Sequence, residues 1–290
     1  MTMKQQSINM TSEKSPKIKA VFFDIDGTLF SFKTKSIPES TRNAIRNLRE
    51  KGIKVIVATG RSINDLNHIK DVEFDGFLTF NGGYCMTVEG QVMFKKLIDS
   101  DDIRKLIAYS EKSEVSFSLM YEDSVRISDE SPRVLELYNN VAIPVPPLVD
   151  KKNLDVDNVL QVNVFIDADT EESFMREIMP NSLSSRWTKL FADVNPGGVS
   201  KQGGVEYFCK YFDIDLCETM AFGDGGNDIS MLKFVEIGVA MGNAGDNVKE
   251  IADFITEDVD NHGIEKALIH FGILDETSAV CPKTEKSNCH

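Results

Sequence analysis

Two carboxylates follow an apolar segment near the start of the chain. Residues 18–23 are apolar, β-branched or aromatic apart from Lys19, and Asp24, Ile25, Asp26 and Gly27 come directly after them. This pattern predicts a short buried strand that ends at Asp24. Side chains alternate along an extended chain, so the two carboxylates are expected on one side, about 6–7 Å apart. A cation such as Mg²⁺ would offset their repulsion, although Asp and Gly are also common where a strand ends in an ordinary turn.

Polar residues also follow a second apolar segment, at residues 53–58. Thr59 and Gly60 come next, and we expect them near Asp24 because the carboxyl ends of parallel strands share one edge of a sheet. Thr59 could equally cap the helix that follows. Arg61 is interpreted as a structural pairing residue rather than a catalytic one.

A lysine and a second acidic segment complete the set of candidate residues. Lys201 lies at a predicted helix start, where the helix dipole disfavours a positive charge, so it could have a role beyond that of a surface lysine. Asp224 follows a predicted strand at residues 219–222 and could join Asp24 and Asp26 in an oxygen shell. Asn227 and Asp228 open the next helix, as caps or as residues that contact the metal ligands.

The elements that position these residues alternate between strand and helix. Residues 18–83 predict strand, helix, strand and strand, which is a βαβ arrangement with parallel strands. Hairpins mixed with helices follow up to residue 190 and indicate an α+β insertion with an antiparallel sheet. The strand and helix alternation returns after residue 191. We therefore expect an α/β core at 17–83 and 191–274, interrupted by an inserted domain at 84–190.

Charge and composition restrict the function. The chain has 290 residues, a net charge of −14, 41% hydrophobic and 27% charged residues, as expected of a globular protein. Nucleic acid and anionic membranes would repel such a chain. The odd number of scattered cysteines, without disulfide or CxxC spacing, favours the cytoplasm. Residues 1–16 and 275–290 are polar and predicted to be disordered, and we expect a monomer or weak dimer.

Four motifs in order resemble those of haloacid dehalogenase-like phosphatases. They are Asp24–Thr28, Thr59–Arg61, Lys201 within Val-Ser-Lys-Gln-Gly, and Gly223–Asp228. The insertion is similar to the large α+β cap of the Cof-type sugar-phosphatase branch. The resemblance implies a Rossmann-like core with a cap that determines specificity. It also implies Mg²⁺-dependent hydrolysis of small phosphorylated metabolites, most of all hexose and pentose phosphates.

The resemblance assigns roles to the acidic residues. Asp24 would be the nucleophile that becomes an aspartyl phosphate, and Asp26 the general acid and then the general base. Mg²⁺ would be held by the carboxylates of Asp24 and Asp224 and by a backbone carbonyl, that of Ile25 or, with less support, of Asp26. Asp228 would contact these ligands rather than the ion.

The phosphoryl oxygens would be bound by Thr59, the Gly60 amide, Lys201 and Asn227. Phosphoryl transfer depends mostly on positioning and charge stabilisation, which agrees with this set. His262 is interpreted as a loop residue.

The same residues are compatible with other functions. A phosphoaspartate receiver domain also combines acids, Thr and Lys around Mg²⁺, and a binding module without turnover could share the fold. The substrate could instead be pyridoxal phosphate, flavin mononucleotide or a sugar-acid phosphate. Four residues of the insertion are weak candidates for substrate contacts: Tyr121, Arg126, Arg186 and Trp187.

Overall fold

The computed structural model of the protein describes residues 17–140, 144–150, 153–186 and 188–276. The described strands are β1 (Ala20–Phe23), β2 (Lys54–Ala58), β3 (Gly76–Thr79), β4 (Tyr84–Thr87), β5 (Val92–Lys95), β6 (Ser116–Met120), β7 (Val125–Ile127), β8 (Gln161–Phe165), β9 (Ser182–Ser185), β10 (Ala192–Pro196), β11 (Thr219–Gly223), β12 (Ile237–Ala240) and β13 (Phe254–Ile255). The described α-helices are α1 (Glu39–Glu50), α2 (Ser100–Ser110), α3 (Pro132–Asn140), α4 (Ala168–Ile178), α5 (Lys201–Phe212), α6 (Ile229–Leu232), α7 (Asp246–Lys249) and α8 (Gly263–His270).

The larger sheet has eight strands in the order β13-β12-β11-β1-β2-β3-β4-β5. The neighbours from β13 to β3 are parallel. β1 lies inside this parallel part, where all four of its residues are buried, as expected of an apolar strand covered on both faces. The predicted α/β fold with a mainly parallel sheet is confirmed.

Helices cover both faces of this sheet. The apolar stripe of α1 is buried, with Ala44, Ile45 and Leu48 all at most 2% exposed. On the other face α5 buries Val205 and Phe208. Tyr211 of the same helix is exposed, and its hydroxyl donates a hydrogen bond to Gln91 at the surface.

The smaller sheet has five antiparallel strands in the order β7-β6-β8-β10-β9. Helices α2 and α4 contact each other and contribute Ile103, Leu106 and Phe174 to an apolar core that also contains Phe117 and Val162 of the sheet. The expected α+β insertion with an antiparallel sheet is confirmed. We call this unit, built on the five-stranded sheet, the cap.

The hairpin β4–β5 and the strand β10 each lie in a different sheet from the one that the sequence predicts. The hairpin β4–β5 was expected in the insertion, but β4 pairs with β3 and extends the larger sheet. The reason is the tight turn at residues 80–82, which reverses the chain directly beside β3. Conversely β10 was expected in the core and pairs with β8 and β9 of the cap. The chain therefore changes sheets between β5 and α2 and again between β10 and α5, and the domain boundaries at 83/84 and 190/191 stay predictions.

The two termini predicted to be disordered, residues 1–16 and 275–290, lie outside the described residues apart from 275 and 276. None of the helices within the described ranges is long and apolar enough to cross a membrane.

Candidate active site

Neighbouring parallel strands bring the predicted residues together. Strands β2, β1 and β11 lie side by side, and Thr59, Asp24 and Asp224 follow their last residues. Lys201 is the first residue of α5, and its ammonium group reaches Asp24. The structure thus gathers these four groups at one edge of the sheet.

Lys201 lies between two carboxylates. Its Nζ donates to Asp24 Oδ1 at 2.7 Å and to Asp228 Oδ1 at 2.6 Å, and the residue is only 1% exposed. Burial alone would lower the pKa of Lys201, but the charges of Asp228 and Asp24 outweigh it and raise that pKa above its usual value. Lys201 is therefore a fixed, charged ammonium group, which explains why a lysine is tolerated at the start of a helix.

The single positive charge of Lys201 does not neutralise the acidic cluster that Asp24, Asp224 and Asp228 form. Burial raises the pKa of Asp24 well above its usual value; Lys201 opposes this, while Asp228 and Asp224 add to it. Burial and the charge of Asp228 likewise raise the pKa of Asp224 to about 7. A divalent cation would reverse both shifts by stabilising the ionised carboxylates.

The donor set fits a hard divalent cation. Asp24, Asp224 and Asp228 each offer an oxygen, and these oxygens all lie within 4.8 Å of one another. Carboxylate oxygens are the ligands that Mg²⁺ prefers. Asp228 has little capacity left, because its Oδ2 accepts from the backbone amides of Asp224 and Gly225 while its Oδ1 binds Lys201. This supports Asp228 as a residue that orients the ligands.

The backbone carbonyl of Ile25 is a poor ligand. It accepts hydrogen bonds from the amides of Phe30 at 2.7 Å and Thr28 at 3.2 Å, which use both of its lone pairs inside the loop. The carbonyl of Asp26 accepts no hydrogen bond from the described part of the chain. Of the two carbonyls that the sequence left open, the geometry therefore favours that of Asp26.

The carboxylate of Asp224 is held in place by side chains to which the sequence analysis assigned no role. Thr28 Oγ1 donates to Asp224 Oδ1 at 3.3 Å, and Asn243 Nδ2 donates to Asp224 Oδ2 at 3.1 Å. Gly27 has a φ of 82°, and a Cβ there would lie 2.3 Å from Asp224 Oδ2. Glycine is thus required for the loop after β1 to approach this carboxylate.

Thr59, Gly60 and Asn227 line the same cavity as Asp24. Thr59 is buried, and its Oγ1 accepts a hydrogen bond from the amide of Arg61 at 3.1 Å, so the hydroxyl proton is free to donate. The amide of Gly60 donates to no acceptor among the described residues. These two donors suit an anionic oxygen.

Asp26 and Arg61 form a bidentate ion pair. Arg61 Nε and Nη2 donate to the two carboxylate oxygens of Asp26, each at 2.7 Å. Arg61, which the sequence suggests is a structural pairing residue, pairs with Asp26. For Asp26 to exchange a proton with a substrate, at least one of these hydrogen bonds must be released.

A cavity of about 1180 Å³ opens between the core sheet edge and the cap. Arg126 lines it, and so does Arg186, although the guanidinium of Arg186 is bound to Glu171 and to the carbonyl of Ile166. Tyr121 does not line the cavity, because its hydroxyl donates to the carbonyl of Asp155. Trp187 lies outside the described residues. His262 precedes α8 in the left-handed region and does not line the cavity.

A buried polar network links the cap to this site, and sequence reasoning missed it. Its members are side chains of the cap sheet and of the turn after β3: Asn81, Gln161, Asn163, Asp193 and Asn195. Asn81 Oδ1 also accepts from Asn227 Nδ2 at 2.9 Å. The available signal was the alternation of polar and apolar residues in β8 and β10, which marks one polar face on each strand.

Asp193 should make the stability of the protein depend on pH. Burial raises its pKa to about 7, although hydrogen bonds from Asn81 and Asn163 oppose this. Between about pH 4 and pH 7 the folded chain then binds a proton that the unfolded chain has lost, so the free energy of unfolding falls as pH rises. We expect wild type to lose about 2 kcal/mol relative to Asp193→Asn between pH 5 and pH 7. Urea unfolding of both proteins measures this difference, and parallel pH curves would contradict it.

Comparison with known proteins agrees with this geometry. Residues 21–268 match the sequence model of the haloacid dehalogenase-like hydrolase family. YkrA of Bacillus subtilis (strain 168), named as a candidate phosphatase, is 34% identical over 258 residues, covering 88% of this chain and 98% of that protein. The structure of the HAD superfamily phosphatase BT1666 from Bacteroides thetaiotaomicron has a TM-score of 0.84 and 38% identity, covering 92% of this chain and 100% of that one.

A second solved structure is that of a HAD subclass IIB sugar phosphatase, BT4131. It has a TM-score of 0.82 and 40% identity, and covers 88% of this chain and 100% of that chain. The chain belongs to the haloacid dehalogenase-like hydrolase family, in its Cof-type branch, and is a phosphoric monoester hydrolase.

Proposed function

We propose that the protein hydrolyses small phosphate monoesters, above all hexose and pentose phosphates, with Mg²⁺ and through an aspartyl phosphate on Asp24. The position of Asp24 carries this proposal. Its Oδ1 accepts a hydrogen bond from Lys201, its Oδ2 accepts none from the described residues, and the side chain lines the cavity. A carboxylate oxygen placed in this way can attack a phosphorus atom.

The reaction proceeds in two displacements at phosphorus. In the first, an Asp24 oxygen forms a bond to phosphorus, the ester P–O bond breaks, and the leaving oxygen takes a proton from Asp26. In the second, water gives a proton to Asp26 and attacks phosphorus, which releases inorganic phosphate and restores the Asp24 carboxylate. Asp26 must exchange a hydrogen bond from Arg61 for one to the leaving oxygen or to the water.

The negatively charged phosphoryl oxygens accept hydrogen bonds from the Lys201 ammonium group, the Thr59 hydroxyl and the Gly60 amide. Lys201 is already positioned by Asp24 and Asp228, so little reorganisation is needed during the reaction. Asp24, Asp224 and the Asp26 carbonyl would hold Mg²⁺, with Asp228 orienting Lys201 and the Asp224 loop. When bound, Mg²⁺ neutralises part of the negative charge on the carboxylates and the phosphoryl oxygens.

Removal of divalent metal should silence the enzyme. The acidic cluster would repel an anionic ester when its charge is offset by Lys201 alone. We expect exhaustive chelation to reduce turnover of p-nitrophenyl phosphate to background, and added Mg²⁺ to restore it. Ca²⁺ should restore it poorly, because it accepts a larger and looser coordination shell. Full turnover in metal-free buffer, verified by elemental analysis, would contradict the metal assignment.

Sugar phosphates are proposed because the cap presents polar groups to the cavity. Ser124, Arg126 and Asn140 line it without being fully buried, and hydroxyl, guanidinium and amide groups suit the hydroxyls of a sugar. The sugar phosphatase among the structural relatives supports the same choice.

A panel of phosphate esters tests the substrate class. Hexose, pentose and triose phosphates, pyridoxal 5′-phosphate, flavin mononucleotide and a sugar-acid phosphate are compared by kcat/KM, with p-nitrophenyl phosphate as reference. We expect a hexose or pentose phosphate to have the highest value. A triose phosphate or the sugar-acid phosphate ranking first would contradict this.

Phosphate esters that carry a planar ring are a second candidate class. Phe30, Phe32 and His68 line the same cavity, Phe32 is 52% exposed, and the rings of Phe30 and His68 lie 4.9 Å apart. Exposed aromatic rings can stack on a planar ligand. A kcat/KM for pyridoxal 5′-phosphate or flavin mononucleotide above that for every sugar phosphate would favour this class.

A further inference from the structure

The turn Thr59–Arg61 is fixed from the core. The amide of Thr59 donates to the carbonyl of Leu78 at 2.8 Å, and the amide of Asn81 donates to the carbonyl of Thr59 at 3.0 Å. The amide of Arg61 donates to Thr59 Oγ1 at 3.1 Å. These bonds hold Thr59, but none of them restrains the carbonyl of Gly60.

The carbonyl of Gly60 is held from the cap instead. Gln161, on β8 and fully buried, donates to it from Nε2 at 3.1 Å. This carbonyl and the amide of Arg61 belong to one peptide unit, so Gln161 also determines the hydrogen bond that orients the Thr59 hydroxyl. A Cβ on Gly60 would lie 3.2 Å from side-chain atoms of both Asn81 and Asp193, so the absence of a side chain permits this close contact.

The amide of Gln161 has one orientation that satisfies its neighbours. Its Oε1 accepts from Asn195 Nδ2 at 2.8 Å and from Asn81 Nδ2 at 3.4 Å, and both of those groups are donors. Its Nε2 faces three acceptors, the Gly60 carbonyl, Asp193 Oδ1 at 3.3 Å and, more weakly, Met120 Sδ at 3.5 Å. A flipped amide would set donors against donors and acceptors against acceptors. Because the site is buried, water cannot take the place of these bonds.

We propose that Gln161 is a positioning residue for phosphoryl binding. From the cap, its carboxamide fixes the Gly60–Arg61 peptide, whose N–H donates to Thr59 Oγ1, and so keeps the Thr59 hydroxyl directed at the phosphoryl oxygens. This inference rests on the proposed function of Thr59 and Gly60. It makes the affinity of the core for the phosphoryl group depend on the placement of a cap strand, so substrate selection by the cap and binding by the core are linked through one side chain.

Binding of inorganic phosphate tests the inference without turnover. The full chain with saturating Mg²⁺ is titrated with phosphate by calorimetry, as wild type, Gln161→Met and the matched control Asn163→Leu. Asn163 lies two residues further along β8, is 1% exposed, and donates to Asp193 at 2.5 Å, with no described hydrogen bond to the turn. We expect Gln161→Met to raise the Kd of phosphate about 3- to 10-fold, and Asn163→Leu to change it less than about twofold.

The variant Gln161→Glu provides a second test, the pH dependence of the phosphate Kd, which would not change if Gln161 were merely structural. In this variant an ionised carboxylate would repel the Gly60 carbonyl, whereas the protonated acid can donate to it. The ratio of the phosphate Kd of this variant to that of wild type should therefore fall towards one as pH is lowered from about 7.5 to about 5.5. If Gln161→Met does not fold, Gln161→Glu alone is used to test the inference.

The outcomes separate this inference from the function on which it rests. If wild type binds phosphate in competition with substrate, and both β8 variants bind it equally well while their Tm falls, Gln161 is structural and the inference is wrong. A pH-independent ratio for Gln161→Glu would also overturn it. If wild type binds no phosphate at all, the proposed function fails and the inference fails with it.

Discussion

Asp24→Asn is expected to reduce turnover by about 10⁴-fold or more, because it removes the group that forms the covalent bond to phosphorus. The fold should persist. Asp24 contributes almost no apolar surface, and the asparagine removes one negative charge from a cluster in which burial already opposes ionisation. Steady-state assay with p-nitrophenyl phosphate measures the loss.

Thermal unfolding provides the control for this variant. We expect the Tm of Asp24→Asn to equal or exceed that of wild type in metal-free buffer, since like-charge repulsion with Asp224 and Asp228 is relieved. A folded variant with turnover within about tenfold of wild type would exclude Asp24 as the nucleophile.

Lys201→Met is expected to have the largest effect on stability. It leaves the carboxylates of Asp24 and Asp228 facing each other, both buried, without the ammonium group that now binds them at 2.7 and 2.6 Å. Removing one partner from a buried ion pair typically costs about 3–5 kcal/mol, because the remaining charge is neither solvated nor paired. Turnover should be lost as well, since the phosphoryl oxygens lose their fixed cation.

Urea unfolding with and without Mg²⁺ measures this cost. We expect Mg²⁺ to recover part of the stability that Lys201→Met loses, because a cation at Asp24 and Asp224 reduces the same repulsion. The variant Lys210→Met is a matched control, since Lys210 lies near the other end of the same helix and has no described ion pair in this site. A Lys201→Met protein as stable as this control in metal-free buffer would contradict the electrostatic account.

The sequence predicted the acids of the site because their positions follow from simple geometry. Asp24 and Asp224 each end an apolar segment, and the carboxyl ends of adjacent parallel strands share one edge. Lys201 was recognisable as an anomaly, a positive charge at a helix start, and the structure explains it by two buried carboxylates.

The polar network of the cap could not be predicted in the same way. Gln161 and Asn163 alternate with valines along β8, and Asp193 and Asn195 alternate with apolar residues along β10. Such a pattern identifies a polar face but not what the face contacts. Here it faces the core and is buried, and only the tertiary structure shows that one of its amides reaches Gly60.

Sheet membership could not be predicted for a related reason. The alternation in β4 and β5 predicts a hairpin, and the hairpin exists, but hydropathy does not say which sheet it joins. The stacking of Phe94 on Tyr207 of α5, with ring centroids 4.2 Å apart, attaches it to the core. Contacts of this kind between distant parts of the chain are not encoded in local periodicity.

The covalent intermediate is the central claim, and reductive trapping tests it most directly. Borohydride converts an aspartyl phosphate to homoserine, which peptide mass spectrometry locates. Asp26→Ala with Mg²⁺ and p-nitrophenyl phosphate is the favourable case, because this leaving group needs little protonation while attack by water lacks its base. We predict homoserine at position 24 in quenched samples that contain substrate, and none in Asp24→Asn. Homoserine at another position, or none at position 24 while a burst of p-nitrophenol is observed, would contradict the mechanism.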